Sequence, residues 1–194
     1  MPPCETQDTL PRCNLELKAQ LTHAAEAPGR AAQLATDTLP GEKQTDTYFH
    51  VRSGRLKLRE IERAEGTPRA QLIAYSRPDR PDCRESRYRL APVSDPAELK
   101  QALAETLGVL VVVEKRRQIF LHHNVRIHLD EVAGLGEFIE FEAVMGPQDE
   151  PADSRRLLDE LQRHFQIAAA DLVATSYSDL LIGRSSAAAA ARSD

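Results

Sequence analysis

The sequence predicts an α+β domain built on a mainly antiparallel, eight-stranded sheet that closes into a barrel with its helices packed outside. Three observations lead there. Strand-like runs dominate the chain and alternate apolar with charged residues, as in Asn14-Leu15-Glu16-Leu17-Lys18 and Leu56-Lys57-Leu58-Arg59-Glu60. Short turn signals, Ser53-Gly54 and His123-Asn124, join neighbouring runs as hairpins. Helical stripes of leucine recur between the strands and need an apolar sheet face to cover.

The elements follow in order. Residues 1–12 carry three of the twelve prolines and read as a disordered leader, without the apolar run of a signal peptide. The folded unit is expected over 13–183, with strands at 14–21, 45–52, 55–62, 70–77, 84–91, 109–121, 124–132 and 136–145. An alanine-rich helix is expected over 24–35, with Pro28-Gly29 delaying or breaking its start. Ser94-Asp95-Pro96 caps a second helix that carries Leu99, Leu103 and Leu107 and stops at Gly108. A third begins at Asp153 or Ser154 and lines up Leu157, Leu158, Leu161 and Phe165. The run Arg77-Pro78-Asp79-Arg80-Pro81-Asp82 reads as a loop, and 184–194 (RSSAAAAARSD) as a disordered tail without the periodicity to dock a helix.

Composition narrows the function classes. With 194 residues and 41% hydrophobic content, one core is the expectation. A net charge of −5 argues against a general nucleic-acid binder, so the cations matter by position. No apolar run reaches the roughly 18 residues of a membrane helix, and a cytoplasmic protein is expected. Cys4, Cys13 and Cys83 are widely spaced, without a CxxC pair, which supports neither a disulfide framework nor a zinc site.

The alternation places Glu16, Lys18, Lys57, Arg59, Lys115, Arg117, Arg126, His128, Asp130, Glu140 and Glu142 on the face opposite the apolar one, with Arg77, Arg84 and Tyr88 in neighbouring strands. A curled sheet would gather these side chains into one lumen. Lysines and arginines crowded together repel unless an anion neutralises them, and phosphate oxygens suit guanidinium and ammonium groups. The carboxylates cannot hold phosphate, but they bind Mg²⁺ or Mn²⁺, which bridges to it. Together they define a site for a triphosphate-bearing small molecule.

On these motifs the chain resembles the CYTH superfamily of triphosphate tunnel metalloenzymes, which includes class IV adenylyl cyclases and thiamine triphosphatases. NLELK at 14–18 sits where the family has ExExK. The likeness continues through QTDTYF at 44–49, LKLRE at 56–60, EKRR at 114–117, VRIHLDEVAGLGEFIEFE at 125–142 and SYSDLL at 176–181. The last two segments look most like the class IV cyclase branch. The resemblance implies Mg²⁺ or Mn²⁺ held by Glu16 and Glu140, with Asp130 and Glu142 as helpers. It implies phosphate contacts from Lys18, Lys57, Arg59, Lys115 and Arg117, with Arg126 and Arg77 as further candidates. Lys18, Arg59 and His128 are the candidates for direct catalytic contact. Asn14 departs from the motif, standing where the first glutamate is expected and bringing no charge.

Three activities are compatible with this set: cyclisation of ATP to cyclic AMP and pyrophosphate, hydrolysis of tripolyphosphate, thiamine triphosphate or a nucleotide, and binding without turnover. A homodimer is a possible assembly. Removing charge at Arg59 or Arg117 is expected to weaken triphosphate binding without unfolding the domain. A sharp loss of thermal stability at unchanged tripolyphosphate affinity would remove these residues from the lumen.

Overall fold

The computed structural model describes residues 12–76, 84–146 and 148–190. Its strands are β1 (Arg12–Gln20), β2 (Asp37–Phe49), β3 (Arg55–Arg63), β4 (Arg69–Ser76), β5 (Arg84–Val93), β6 (Val109–His122), β7 (Val125–Val132) and β8 (Gly136–Met145). They pair in the order β1-β5-β4-β3-β2-β6-β7-β8, and β8 returns to β1, so the sheet is a closed barrel. Every pairing is antiparallel. Closure removes the sheet edges that would otherwise be open to other strands. The expected fold class is therefore the observed one.

Helices α1 (Ala27–Leu34), α2 (Pro96–Leu107), α3 (Pro151–His164) and α4 (Tyr177–Ala190) surround it. The apolar core lies outside the barrel wall. Leu15, Leu17, Ile127, Ile139 and Phe141 face outwards and pack under Ala27 and Ala31 of α1 and Leu158, Leu161 and Phe165 of α3. Across the barrel, Phe49, Leu58 and Ala70 pack under Leu99, Leu103 and Ala104 of α2. Asp95 caps α2 by accepting the Glu98 amide at 3.1 Å, as its Ser-Asp-Pro start predicts.

The hairpins form at the expected turns. Gly54 has φ +67°, and a Cβ there would stand 2.9 Å from the Tyr75 carbonyl oxygen, so the β2–β3 turn needs glycine on both counts. His123 takes the left-handed conformation, φ 52°, between β6 and β7.

α1 starts at Ala27, three residues after 24, in keeping with the expected delay: Pro28 occupies the first turn, where its missing N–H costs nothing. Two elements differ from the sequence reading. β2 starts at Asp37, well before 45, because a register shift between Leu39 and Glu42 carries Pro40 and Gly41 through the strand. A fourth helix runs through the segment read as a tail, consistent with alanine's high helix propensity, while residues 183–187 stay exposed. Among the described residues no helix is long and apolar enough to cross a membrane.

Leu158 is fully buried between α3 and the barrel wall. Leu158→Ala is expected to destabilise the fold by about 2–5 kcal/mol in urea unfolding. A change under about 0.5 kcal/mol would show that the outer layer carries little of the stability.

Candidate active site in the barrel lumen

The side chains opposite the outer core converge on a cavity of about 420 Å³. Its wall includes Glu16 and Lys18 from β1, Glu42, Gln44 and Tyr48 from β2, Lys57 and Arg59 from β3, Lys115 and Arg117 from β6, Arg126 and His128 from β7, and Glu140 and Glu142 from β8. One end is closed by an apolar cluster, Tyr48, Val113, Val132 and Phe138 of the barrel against Tyr177 and Leu181 of α4. Stepping away from this plug, successive inward positions on β3 are Lys57, Arg59, Ile61 and Arg63, and on β6 Lys115, Arg117 and Ile119. The lumen thus runs from lysines through arginines to a partly apolar mouth.

Buried carboxylates hold these cations apart. Asp46, 1% exposed, accepts from Lys57 at 2.9 Å and from Arg59 Nε and Nη2, both at 2.7 Å. Asp130, 2% exposed, accepts from Arg117 Nε and Nη2, both at 2.6 Å, and from the Tyr177 hydroxyl at 2.9 Å. Lys115 Nζ stands between them, 4.0 Å from Asp46 and 3.9 Å from Asp130. Glu140 lies 3.4 Å from Lys18 and 3.0 Å from Arg117. The rings of the plug face the same cations, with Lys18 Nζ 3.9 Å from the Tyr177 centroid and Lys57 Nζ 5.3 Å from that of Tyr48.

The protonation equilibria follow from these contacts. Burial pushes the Asp46 carboxyl up, but the charges of Arg59 and Lys57 outweigh it and hold it well below the usual carboxylate range. Asp130 is held down in the same way by Arg117 and Lys115, and Glu140 by the charges of Lys18 and Arg117. Burial, reinforced by the Arg117 charge, pushes the Lys115 ammonium well below its ordinary value, since neither flanking carboxylate reaches hydrogen-bond distance. Burial and Arg117 also lower His128, so its ring is neutral near pH 7.

Each residue singled out in the sequence can now be placed. Lys18, Lys57, Lys115 and Arg117 are buried in the lumen and Arg59 is half-buried there. Arg126 lies at the mouth with its side chain 44% exposed, 3.2 Å from Glu142. Arg77 and the loop 78–82 lie outside the described residues. His128 stands 3.8 Å from Glu140 and 3.9 Å from Glu142, beyond hydrogen-bond reach of either. Glu16 is the direct cross-strand partner of Glu142, and Glu140 is two residues further along β8. Asp130 is bound edge-on by Arg117 and accepts from the Tyr177 hydroxyl, contacts that suit it to orient Arg117.

The donor set fits a hard divalent cation. Among the described residues no three His, Cys, Asp or Glu side chains already form a metal cage. Mg²⁺ is ordinarily held by one or two carboxylates, with water and substrate phosphates completing its shell. Glu16 and Glu142 stand opposite each other on the β1–β8 ladder with Glu140 two residues away, carboxylates of the type such a site uses. Asn14, fully buried, donates its amide to Glu142 and lies 3.3 Å from the Tyr88 hydroxyl, so at this position the chain has a neutral prop for Glu142 in place of a further carboxylate.

The sequence reading gave no role to Glu42, Gln44, Asp46 or Arg63. Glu42, Gln44 and Asp46 alternate with Lys43, Thr45 and Thr47, the same period-2 signal as elsewhere, but a strand expected from 45 leaves out Glu42 and Gln44.

These contacts revise the expectation for Arg117. Arg117→Met removes the main partner of a buried carboxylate and is expected to cost about 3–5 kcal/mol of stability as well as triphosphate affinity; unchanged stability would contradict the pairing. A carboxylate whose folded-state pKa is depressed contributes stability that is fully present above its unfolded value near about 4 and is lost as pH falls through the folded value. Asp46, Asp130 and Glu140 therefore make stability drop on acidification below about pH 4, a loss that Asp46→Asn should reduce in acid titration by circular dichroism.

Comparison with known proteins agrees with this fold. Residues 13–177 match the CYTH domain family model. A protein from Pyrococcus horikoshii superposes with a TM-score of 0.73 at 21% identity, covering 86% of this chain and 98% of that one. A Vibrio parahaemolyticus protein provisionally assigned as an adenylate cyclase gives 0.72 at 21% identity, covering 87% and 97%. An adenylyl cyclase candidate from Hippeastrum, said to reveal a dominant triphosphatase activity, gives 0.58 at 15% identity over 90% and 96%. A search of curated proteins finds no match. With the family model spanning nearly the whole barrel and its lumen, the chain belongs to the CYTH domain family.

Proposed function

We propose that the protein is a divalent-cation-dependent enzyme that hydrolyses the terminal phosphoanhydride of a triphosphate. The observation that carries this reading is the ladder of cations leading to a closed end. A phosphate chain entering from the mouth is drawn in end first, so its terminal group reaches Lys57, Lys115 and Lys18 while the next contacts Arg59 and Arg117. Asp46 and Asp130 grip the Nε and Nη2 edges of the two arginines, which leaves their Nη1 donors for phosphate oxygens. Fixed donors of this kind stabilise charge as it develops on those oxygens without reorganising. Whatever group follows the phosphates remains at the mouth beside Ile61, Ile119, Leu39 and Leu90.

Triphosphate tunnel enzymes of the CYTH family generally depend on divalent cations. Glu16, Glu140 and Glu142 are the residues that would hold one here, and it would neutralise charge on the phosphate oxygens when bound. Cyclisation of ATP is the second reading. It is favoured by the position of Glu16, Glu142 and Arg126, which lie mouthward of the lysines where an α-phosphate would stand.

Incubation with ATP and separately with tripolyphosphate, each with Mg²⁺ or Mn²⁺, distinguishes the readings by product. Orthophosphate is expected from both substrates. Cyclic AMP with pyrophosphate would replace hydrolysis by cyclisation, and binding without product would leave a sensor. Glu140→Gln is expected to lower turnover ~100-fold or more while the protein still unfolds cooperatively; full activity at saturating Mg²⁺ would exclude Glu140 from the site.

A further inference from the structure

Gln44 Oε1, like His128 Nδ1, is a buried side-chain atom of the lumen without a hydrogen-bond partner among the described residues. The Gln44 side chain is 2% exposed and lines the cavity. The orientation of the amide is fixed from the other side: Nε2 donates to Glu42, and Glu42 is held in turn by Arg63 at 3.0 and 2.5 Å. Because a carboxylate can only accept, the amide nitrogen must face Glu42 and the amide oxygen must face away from it. Gln44 is the cross-strand neighbour of Lys115 on β6 and of Ile61 on β3, and it lies two residues along β2 from Asp46, which holds Arg59. A buried amide oxygen without a donor costs about 1–3 kcal/mol, so its retention asks for a partner supplied with the substrate.

The chemistry of that partner is restricted. Ionised phosphate oxygens are acceptors, so they pair with the lysines and arginines around Gln44 but not with its Oε1. A group that brings a hydrogen-bond donor to this point is required, and beside the terminal phosphorus of a triphosphate water is such a donor. We propose that Gln44 accepts a hydrogen bond from the attacking water and aims its lone pair at the terminal phosphorus, which makes Gln44 a catalytic residue. The proposal rests on the hydrolase reading above. The water oxygen forms the new P–O bond as the bridging P–O bond breaks, and the bridging oxygen leaves with that electron pair on the diphosphate. The amide is too weak a base to take the proton, which passes to an oxygen of the transferred phosphoryl group, giving orthophosphate. Phosphoryl transfer through a loose transition state needs orientation more than base strength, and a glutamine that orients water is a known solution to that problem.

The test is Gln44→Met, which keeps length and volume and deletes the acceptor. For the wild type and the variant, orthophosphate release from tripolyphosphate is measured beside the tripolyphosphate Kd by calorimetry. The expected result is a fall in kcat of about 100-fold with a Kd within about twofold. Glu42→Ala, which frees the amide to rotate, is expected to give a smaller loss of kcat, again at little change in Kd. Equal turnover in wild type and Gln44→Met overturns the role of Gln44 and leaves the hydrolase reading standing. Loss of binding in Gln44→Met overturns it too, since Gln44 would then shape the lumen rather than aim water. A wild type that makes no orthophosphate from any triphosphate overturns the hydrolase reading and the role of Gln44 with it.

Discussion

Everything in this barrel depends on neutralising the cations that it turns inward. Two unit charges 4 Å apart interact by about 4 kcal/mol at the effective dielectric of a protein surface, and more in a drier lumen. Closing a sheet around Lys57, Arg59, Lys115 and Arg117 would therefore oppose folding if nothing faced them. Asp46 and Asp130 answer that repulsion from within the wall, each taking an arginine edge-on and leaving Lys115 between them. The pairs do more than balance charge. They fix the guanidinium planes and leave one edge of each open, so the same contacts that permit folding also prepare the lumen for a second anion.

The cost of a polar interior is met by moving the core outside it. A soluble barrel of this size can fill its interior with apolar side chains; here leucine, isoleucine and phenylalanine face outwards and are covered by α1, α2 and α3. The plug beneath α4 is apolar inside, as is part of the mouth, and the plug fills one end of the lumen. Folding and function are thereby separated into layers. The outer layer drives burial, and the inner one can hold a dense set of charges whose arrangement answers to the ligand.

Much of this was legible because the period-2 alternation is strong. Leu15 and Leu17 against Glu16 and Lys18, or Ile127 and Leu129 against His128 and Asp130, fix which face each side chain takes, and the pairing of strands then follows with few options. The beginning of β2 was hidden because Pro40 and Gly41 read as a loop, whereas a register shift absorbs them within the ladder. α4 was missed because Arg184, Ser185 and Ser186 break the apolar pattern past Ile182, although the backbone stays helical through the alanines. At the site, alternation identified which residues turn inward but not which of them bind one another. The bidentate contact of Asp130 with Arg117 has no signal in the sequence, and Gln44 has none beyond its facing, because its interest lies in a hydrogen bond that the protein does not make.

The central claim, that internal carboxylates stand in for the polyanion that the lumen receives, is tested most directly by unfolding Asp46→Asn and the wild type thermally with and without tripolyphosphate. Without ligand the variant is expected to melt lower, because Lys57, Arg59 and Lys115 lose their shared counter-charge. With tripolyphosphate its gain in Tm is expected to exceed that of the wild type, because phosphate fills the role of the lost carboxylate. A variant as stable as the wild type without ligand, or one that gains no more from tripolyphosphate, would contradict the claim.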